Sequence, residues 1–244
     1  MLLALAYHRA GPGRYGNDLS LLKDHFAFIA TKYPTALPGE PIRFPLTLCL
    51  TFDDATFDFY HLIYPLLKKY RLKAVLAVPT AFIPNAVALS PAARLRCIRS
   101  LKIDTPSTPS PAFCSWDELK ELSQSPLIEI ASHSVHHLPL TAPQISLSVE
   151  LGSSKVALET ALACCVTTFV YPYGIFQRAI HRKVKKYYTY AMRLGGALNV
   201  NWGGKNKLLY RANADALSDH RSPFAPSKQI RYLSKFFLNS LRRK

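Results

Sequence analysis

The chain has 244 residues, and its 31 Lys+Arg against 15 Asp+Glu give a formal net charge of +16. With 49% hydrophobic and 19% charged residues it has ample apolar side chain to offset the entropy of ordering, which excludes a mainly disordered state. No apolar run reaches the ~18 residues of a transmembrane helix. Five Cys, an odd number without any CxxC spacing, exclude a disulfide scaffold and a thiolate zinc finger.

Residues 2–7 are predicted to form a buried strand. The apolar stretch stops at His8 and Arg9, short of the ~7–15 residues of a secretory signal, so the expectation is a cytoplasmic chain without a leader. Residues 46–52 (LTLCLTF) make a second apolar run, which ends at the paired acids Asp53 and Asp54. Residues 59–70 have apolar side chains at helical spacing and finish with Lys68 and Lys69, which suits the negative end of a helix. A third strand is read at 73–78. Residues 84–113 contain Pro84, Pro91, Pro106, Pro109 and Pro111 and read as an inserted loop with one short helix around 92–100. Ser115-Trp116-Asp117-Glu118 forms a capping box that opens a helix running to Leu122. Further on come a strand at 127–131 ending at Ser132-His133, a helix at 142–163, and a strand at 167–170 ending at Tyr171-Pro172-Tyr173-Gly174. Strands alternating with helices imply a largely parallel sheet, open or closed into a barrel.

The charge is concentrated late in the chain. Residues 1–174 hold 15 Lys+Arg and 13 Asp+Glu, a net of +2; residues 175–244 hold 16 Lys+Arg and only Asp215 and Asp219, a net of +14. Such a bias suits an anionic partner or a plain solvated surface. No helix-turn-helix, zinc finger or RNA-binding signature accompanies it, so no nucleic-acid partner is expected.

The polar residues that stand out all follow strands: Asp53 and Asp54, then His133 and His137, then Tyr171-Pro172-Tyr173-Gly174. Loops after parallel strands gather on one face of a barrel or open sheet, where sites are built. Imidazoles four apart reach one metal from a single helical turn, and one carboxylate of the Asp pair supplies a third ligand. Two His and one carboxylate leave positions open for water and substrate, and the second carboxylate is then free to take a proton. His136, between the two, is expected to point elsewhere.

These motifs resemble those of the polysaccharide deacetylases, the carbohydrate esterases with a NodB homology domain. Thr51-Phe52-Asp53-Asp54 is similar to the first motif of that family, His133-Ser134-Val135-His136-His137 to the second, and Phe169-Val170-Tyr171-Pro172-Tyr173-Gly174 to the third. The resemblance implies an α/β fold, an irregular, incomplete (β/α) barrel of about seven strands. It also implies Asp53 as general base, Asp54, His133 and His137 as ligands of one divalent metal (zinc, with cobalt or nickel as alternatives), and the Tyr173 N–H as an oxyanion donor. The activity implied is removal of N-acetyl groups from N-acetylglucosamine-type sugars in a glycan. The alternatives are deformylation or deacetylation of a lipid-linked amino sugar, and a non-catalytic glycan- or membrane-binding descendant. The oligomeric state is not indicated.

Three departures stand out. Ala55 follows the Asp pair where the family often has Gly. Val170 and Tyr171 stand where many members have an Arg before the Pro-Tyr turn. The late Leu-x-Ile-x-His motif that carries the general acid is missing, and His220, in Ser218-Asp219-His220-Arg221, matches it poorly. Ala6-Tyr7-His8-Arg9, however, resembles the opening of the poly-N-acetylglucosamine deacetylase branch, which implies His8 as general acid.

Residues 1–226 are expected to form the catalytic domain, and 227–244 a basic amphipathic helix of the same domain. In that helix Ile230, Leu233, Phe237 and Leu241 share one face, broadened by Phe236 and Leu238 and flanked by Arg231, Lys235, Arg242, Arg243 and Lys244. The face is expected to close the barrel; peripheral contact with an anionic membrane is the alternative.

Overall fold

A computed structural model describes residues 1–13, 15–43, 45–99, 101, 108–204 and 207–241. In chain order its elements are β1 (Leu2–Tyr7), the short strands β2 (Arg9–Ala10) and β3 (Gly16–Asn17), α1 (Leu19–Lys32), β4 (Thr47–Phe52), and a π-helical turn Phe59–Ile63 running into α2 (Tyr64–Tyr70). They continue with β5 (Ala74–Val78), α3 (Pro91–Arg99), α4 (Trp116–Ser123), β6 (Ile128–Ser132), a second π-helical turn Val149–Ser153 running into α5 (Ser154–Leu162), and β7 (Thr168–Val170). The last are α6 (Arg178–Tyr187), β8 (Tyr190–Leu194), β9 (Leu208–Asn213) and α7 (Pro226–Leu241).

Strands β1, β4, β5, β6, β7, β8 and β9 pair in that order, all parallel, and β9 pairs back onto β1 to close a barrel. With seven strands instead of eight, this is the incomplete (β/α) barrel the motifs implied. Alternate residues of each strand point to opposite sides. One set, including Leu2, Ala4, Cys49, Val75, Ala77, Ala131, Val170, Met192 and Leu209, packs as a cluster of its own inside the barrel. The other set, including Leu3, Leu5, Leu50, Phe52, Leu76, Ile130 and Phe169, packs with the surrounding helices. Burial on both sides is why the strands read as unbroken apolar runs rather than alternating ones. The same parity turns Thr51, Asp53, His133 and Arg211 inward.

The capping box forms as expected: the Ser115 hydroxyl accepts from the Glu118 N–H, and the Glu118 carboxylate accepts from the Ser115 N–H at 2.8 Å. The inserted segment yields α3, anchored by a buried Arg94 that pairs with Glu118 at 2.6 Å and lies 3.6 Å over the Phe57 ring. The helix expected at 142–163 begins only at Leu147 and is continuous with Val149–Ser153. Pro143 disfavours helical geometry at Ala142, whose N–H instead closes a turn onto the Pro139 carbonyl.

The largest departure is α7. It packs on the barrel through Tyr232, which is buried, and through Phe236, which lies against the core. The face expected to close the barrel, with Ile230, Leu233 and Phe237, is exposed. Periodicity assigns these three to one face correctly; the choice of packing side goes to the tyrosine. The Leu241 side chain and residues 242–244 lie outside the described residues. No described helix is long and apolar enough to cross a membrane.

Candidate active site

Because the barrel strands are parallel, their C-terminal ends open on one mouth. His8 follows β1, Asp53 and Asp54 follow β4, and His133 and His137 follow β6. The Pro172–Gly174 turn follows β7, Asp215 follows β9, and Arg211 projects inward from β9 itself.

Asp54, His133 and His137 are buried, and each offers a ligand atom within 4.8 Å of the others. Their sequence spacing works differently from the helical turn expected. The chain from His133 to His137 is not helical; Ser134 (φ 67°) and His137 (φ 53°) take left-handed conformations that fold the two imidazoles together, Nε2 to Nε2 at 3.2 Å. Burial first, then the field of His137, lowers the His133 pKa to about 4, so the ring is neutral at pH 7. Its Nδ1–H donates to the Val170 carbonyl at 2.7 Å, which leaves the Nε2 lone pair facing Asp54 and His137. Among the described residues the buried Asp54 Oδ1 has no hydrogen-bond partner. A neutral imidazole with its lone pair fixed and an orphaned carboxylate oxygen make a donor set that fits a divalent cation.

His136 turns away. Its Nδ1 pairs with Glu150 at 2.6 Å, and Glu150 also accepts from the N–H groups of Val135 and His136 at 3.0 Å each. This buried carboxylate therefore shapes the loop that carries both imidazoles, a role with no signal in the sequence. Metal analysis after dialysis is expected to find the divalent ion lost from His133→Ala and kept by His136→Ala; the reverse result would refute the assignment.

Asp53 faces an unexpected partner. The Arg211 guanidinium, 1% exposed, grips both carboxylate oxygens, Nη1 to Oδ1 at 2.6 Å and Nη2 to Oδ2 at 2.9 Å, and Nη1 also donates to Thr51 Oγ1. Burial favours the neutral acid, but Arg211, His133 and His8 together hold the Asp53 carboxyl well below the usual carboxylate range. A cation thus stands beside Asp53 although the position before the Pro-Tyr turn carries none; it comes from a strand 158 residues further along.

His8 lies at the rim. Its Nε2 is 3.8 Å from Asp53 Oδ2, its Nδ1 pairs with Asp215 Oδ2 at 2.7 Å, and its backbone N–H donates to the other Asp215 oxygen at 2.9 Å. Burial, the largest influence, disfavours its charge, but the Asp215 hydrogen bond and the fields of Asp53, Asp54 and Asp215 outweigh it and raise the pKa to about 9. His220 lies elsewhere, against Phe28 and Arg221. Sequence reasoning missed both Arg211 and Asp215. The one signal for Arg211 is a charged residue inside the strand segment LLYRAN; Asp215, two residues beyond that strand, has none.

The third motif forms a tight turn beside the imidazoles. Tyr173 (φ 57°) is followed by Gly174 (φ 66°), where a Cβ would come within 2.9 Å of Leu194 Cβ and 3.1 Å of its backbone nitrogen, so only glycine fits. The Tyr173 ring is half exposed and lies 4.8 Å from that of His137. Ala55 is also left-handed (φ 52°), which explains why glycine would be at ease at that position.

The family model described as "Polysaccharide deacetylase" matches residues 45–192. No curated protein matches the sequence. Among solved structures, the Streptococcus pyogenes deacetylase PplD, in complex with acetate, is similar at a TM-score of 0.72 and 18% identity, over 95% of this chain and 97% of that one. A de-N-acetylase from Aggregatibacter actinomycetemcomitans gives 0.69 and 21%, over 95% and 99%. IcaB from Ammonifex degensii gives 0.69 and 18%, over 88% and 92%. At these identities the likeness is one of fold. The matched span includes Asp53, Asp54, His133, His137 and Tyr173, while His8, Arg211 and Asp215 lie outside it.

Proposed function

This chain belongs to the polysaccharide deacetylase family, and from that membership we propose that it is a metal-dependent hydrolase that removes N-acetyl groups from N-acetylglucosamine-type sugars in a glycan. The observation that carries this reading is the set of five side chains at one mouth. Asp54, His133 and His137 face one another beside a carboxylate gripped by Arg211 and an imidazole backed by Asp215.

Asp54, His133 and His137 would hold the cation, zinc before cobalt or nickel. Bound there, it supplies a Lewis acid that polarises an amide carbonyl and makes water more acidic. Asp53, anionic at neutral pH, accepts the proton of the attacking water. Arg211 uses one lone pair on each of its oxygens, and a carboxylate has about four acceptor sites, so acceptor capacity remains. The Tyr173 N–H donates to the oxyanion that develops on the substrate. His8, cationic below pH 9 or so, gives its Nε2 proton to the departing amine, while Asp215 fixes the ring and stabilises the cation. Acetate and a free amino sugar result. Mass spectrometry of N-acetylated glycans incubated with metal-loaded protein tests this: the expected result is loss of acetyl groups, and unchanged glycans across chain lengths would refute it.

His8→Ala is expected to lower turnover by about 100- to 10,000-fold, as for loss of a general acid. Since His8 must be protonated, kcat is expected to fall as pH rises through about 9. Asp215→Asn removes the largest contribution raising that pKa and should shift the alkaline limb down by about 1 unit or more. A pH profile unchanged in Asp215→Asn would move the acid role to another group.

A further inference from the structure

We infer that the outward face of α7 docks the protein on an anionic lipid surface. The helix is already fixed to the barrel by its other side, through the buried Tyr232, whose carbonyl accepts from the Leu198 N–H, and through Phe236 against the core. The side turned away carries Ile230, Leu233 and Phe237 at spacings of three and four, 67%, 38% and 60% exposed, with Leu238 next to them. An apolar stripe on a helix held by a different face does nothing for folding. A contiguous exposed stripe of this kind marks an interaction surface.

Charge identifies the occupant. No acidic residue occurs in Pro226–Leu241, and Arg231 and Lys235 are exposed on the same helix. The last 70 residues carry 16 Lys+Arg against Asp215 and Asp219. A second copy of this chain would bring another +16 and the same basic helix, so self-association sets like charges together. A bilayer with anionic headgroups offers the opposite charge at its surface and an apolar layer just beneath, where long basic side chains reach back to the headgroups. Sixteen residues make a helix of about 24 Å, short of the ~30 Å bilayer core, so α7 lies in the interface plane with Ile230, Leu233 and Phe237 inserted.

The experiment uses the full chain and sedimentation with vesicles of phosphatidylcholine, with or without phosphatidylglycerol. Binding is expected only to the vesicles containing phosphatidylglycerol, and is expected to weaken as salt rises from about 0.1 M to 1 M and the Debye length falls from about 10 Å to 3 Å. Ile230→Glu with Phe237→Glu should weaken it about tenfold or more while leaving circular dichroism and the melting transition unchanged, because both positions are exposed. If that pair disturbs the fold, Arg231→Gln with Lys235→Gln takes its place and should also weaken binding. Equal binding to neutral vesicles, salt-insensitive binding, or full binding by the variants would overturn the inference. So would a dimer, seen by sedimentation velocity, that depends on Ile230 and Phe237 in a protein that ignores vesicles.

Discussion

Asp53→Asn is expected to abolish measurable turnover while the protein stays folded and keeps its divalent ion. The substitution preserves shape but replaces an anionic acceptor with an amide that cannot take a proton from water at any useful pH. Loss of a positioned general base costs about 100- to 10,000-fold, or roughly 3–5 kcal/mol of barrier. A second penalty adds to this. The amide presents an NH₂ group to a guanidinium that now grips both carboxylate oxygens, so one donor of Arg211 loses its acceptor. The metal should remain, because the ligand set is Asp54, His133 and His137, and Asp54 turns its Oδ1 toward both imidazoles at 3.4 Å and 3.8 Å. Metal analysis alongside kcat on an N-acetylated oligosaccharide separates the two roles. Loss of the ion would make Asp53 a ligand, and residual turnover within tenfold of wild type would remove it from proton transfer.

The neighbouring acids therefore divide their work by direction. Asp53 lies on the inward parity of β4 and meets Arg211 inside the barrel, while Asp54 (φ 74°) leaves the strand in a left-handed conformation that swings it toward β6. Left-handed non-glycine residues cluster at this mouth: Asp54, Ala55, Ser134, His137 and Tyr173. Such geometry costs energy at each position and persists where the surroundings over-determine it. The Glu150 carboxylate, with three hydrogen bonds to the 135–136 segment, is one such constraint.

Much of this arrangement is legible in the amino-acid sequence. Strands that end abruptly in acids, imidazoles or a Pro-Tyr-Gly turn show both the alternation of the fold and the side of the barrel that carries chemistry. What the sequence conceals has physical causes. Arg211 and Asp215 reach Asp53 and His8 only because β9 closes onto β1, and closure pairs residues about 160 to 200 positions apart with no local signature. The imidazole spacing suggests a helical turn because positions four apart are neighbours on a helix; two left-handed residues achieve the same approach by another path. On α7 the pattern shows which residues share a face and cannot show which face the barrel binds. One buried tyrosine decides it against three aliphatic and aromatic side chains.

Arg211→Met is expected to cost more stability than any other single change at the mouth, and to lower turnover as well. Arg211 and Asp53 are both buried and joined by two parallel hydrogen bonds, and Arg211 also holds Thr51, whose hydroxyl donates to the Leu5 carbonyl. Removing one partner of such a pair leaves an uncompensated charge away from water, a loss of about 3–5 kcal/mol, whereas exposed pairs contribute about 0–1 kcal/mol. Methionine nearly fills the volume, so the cost would come from the stranded carboxylate rather than from a cavity. Asp53→Asn combined with Arg211→Met makes both partners neutral, and that double variant is expected to recover most of the loss, a coupling of about 2–3 kcal/mol or more in a double-mutant cycle read by urea denaturation. Arg211→Lys keeps the charge but not the planar fork and should fall between wild type and Met. Turnover should drop in the Met variant because burial, no longer opposed by the guanidinium, pushes the Asp53 carboxyl upward and leaves it free to turn away from the mouth. A destabilisation below about 1 kcal/mol, or strictly additive single and double variants, would show the Arg211–Asp53 contact to be no stronger than a surface pair.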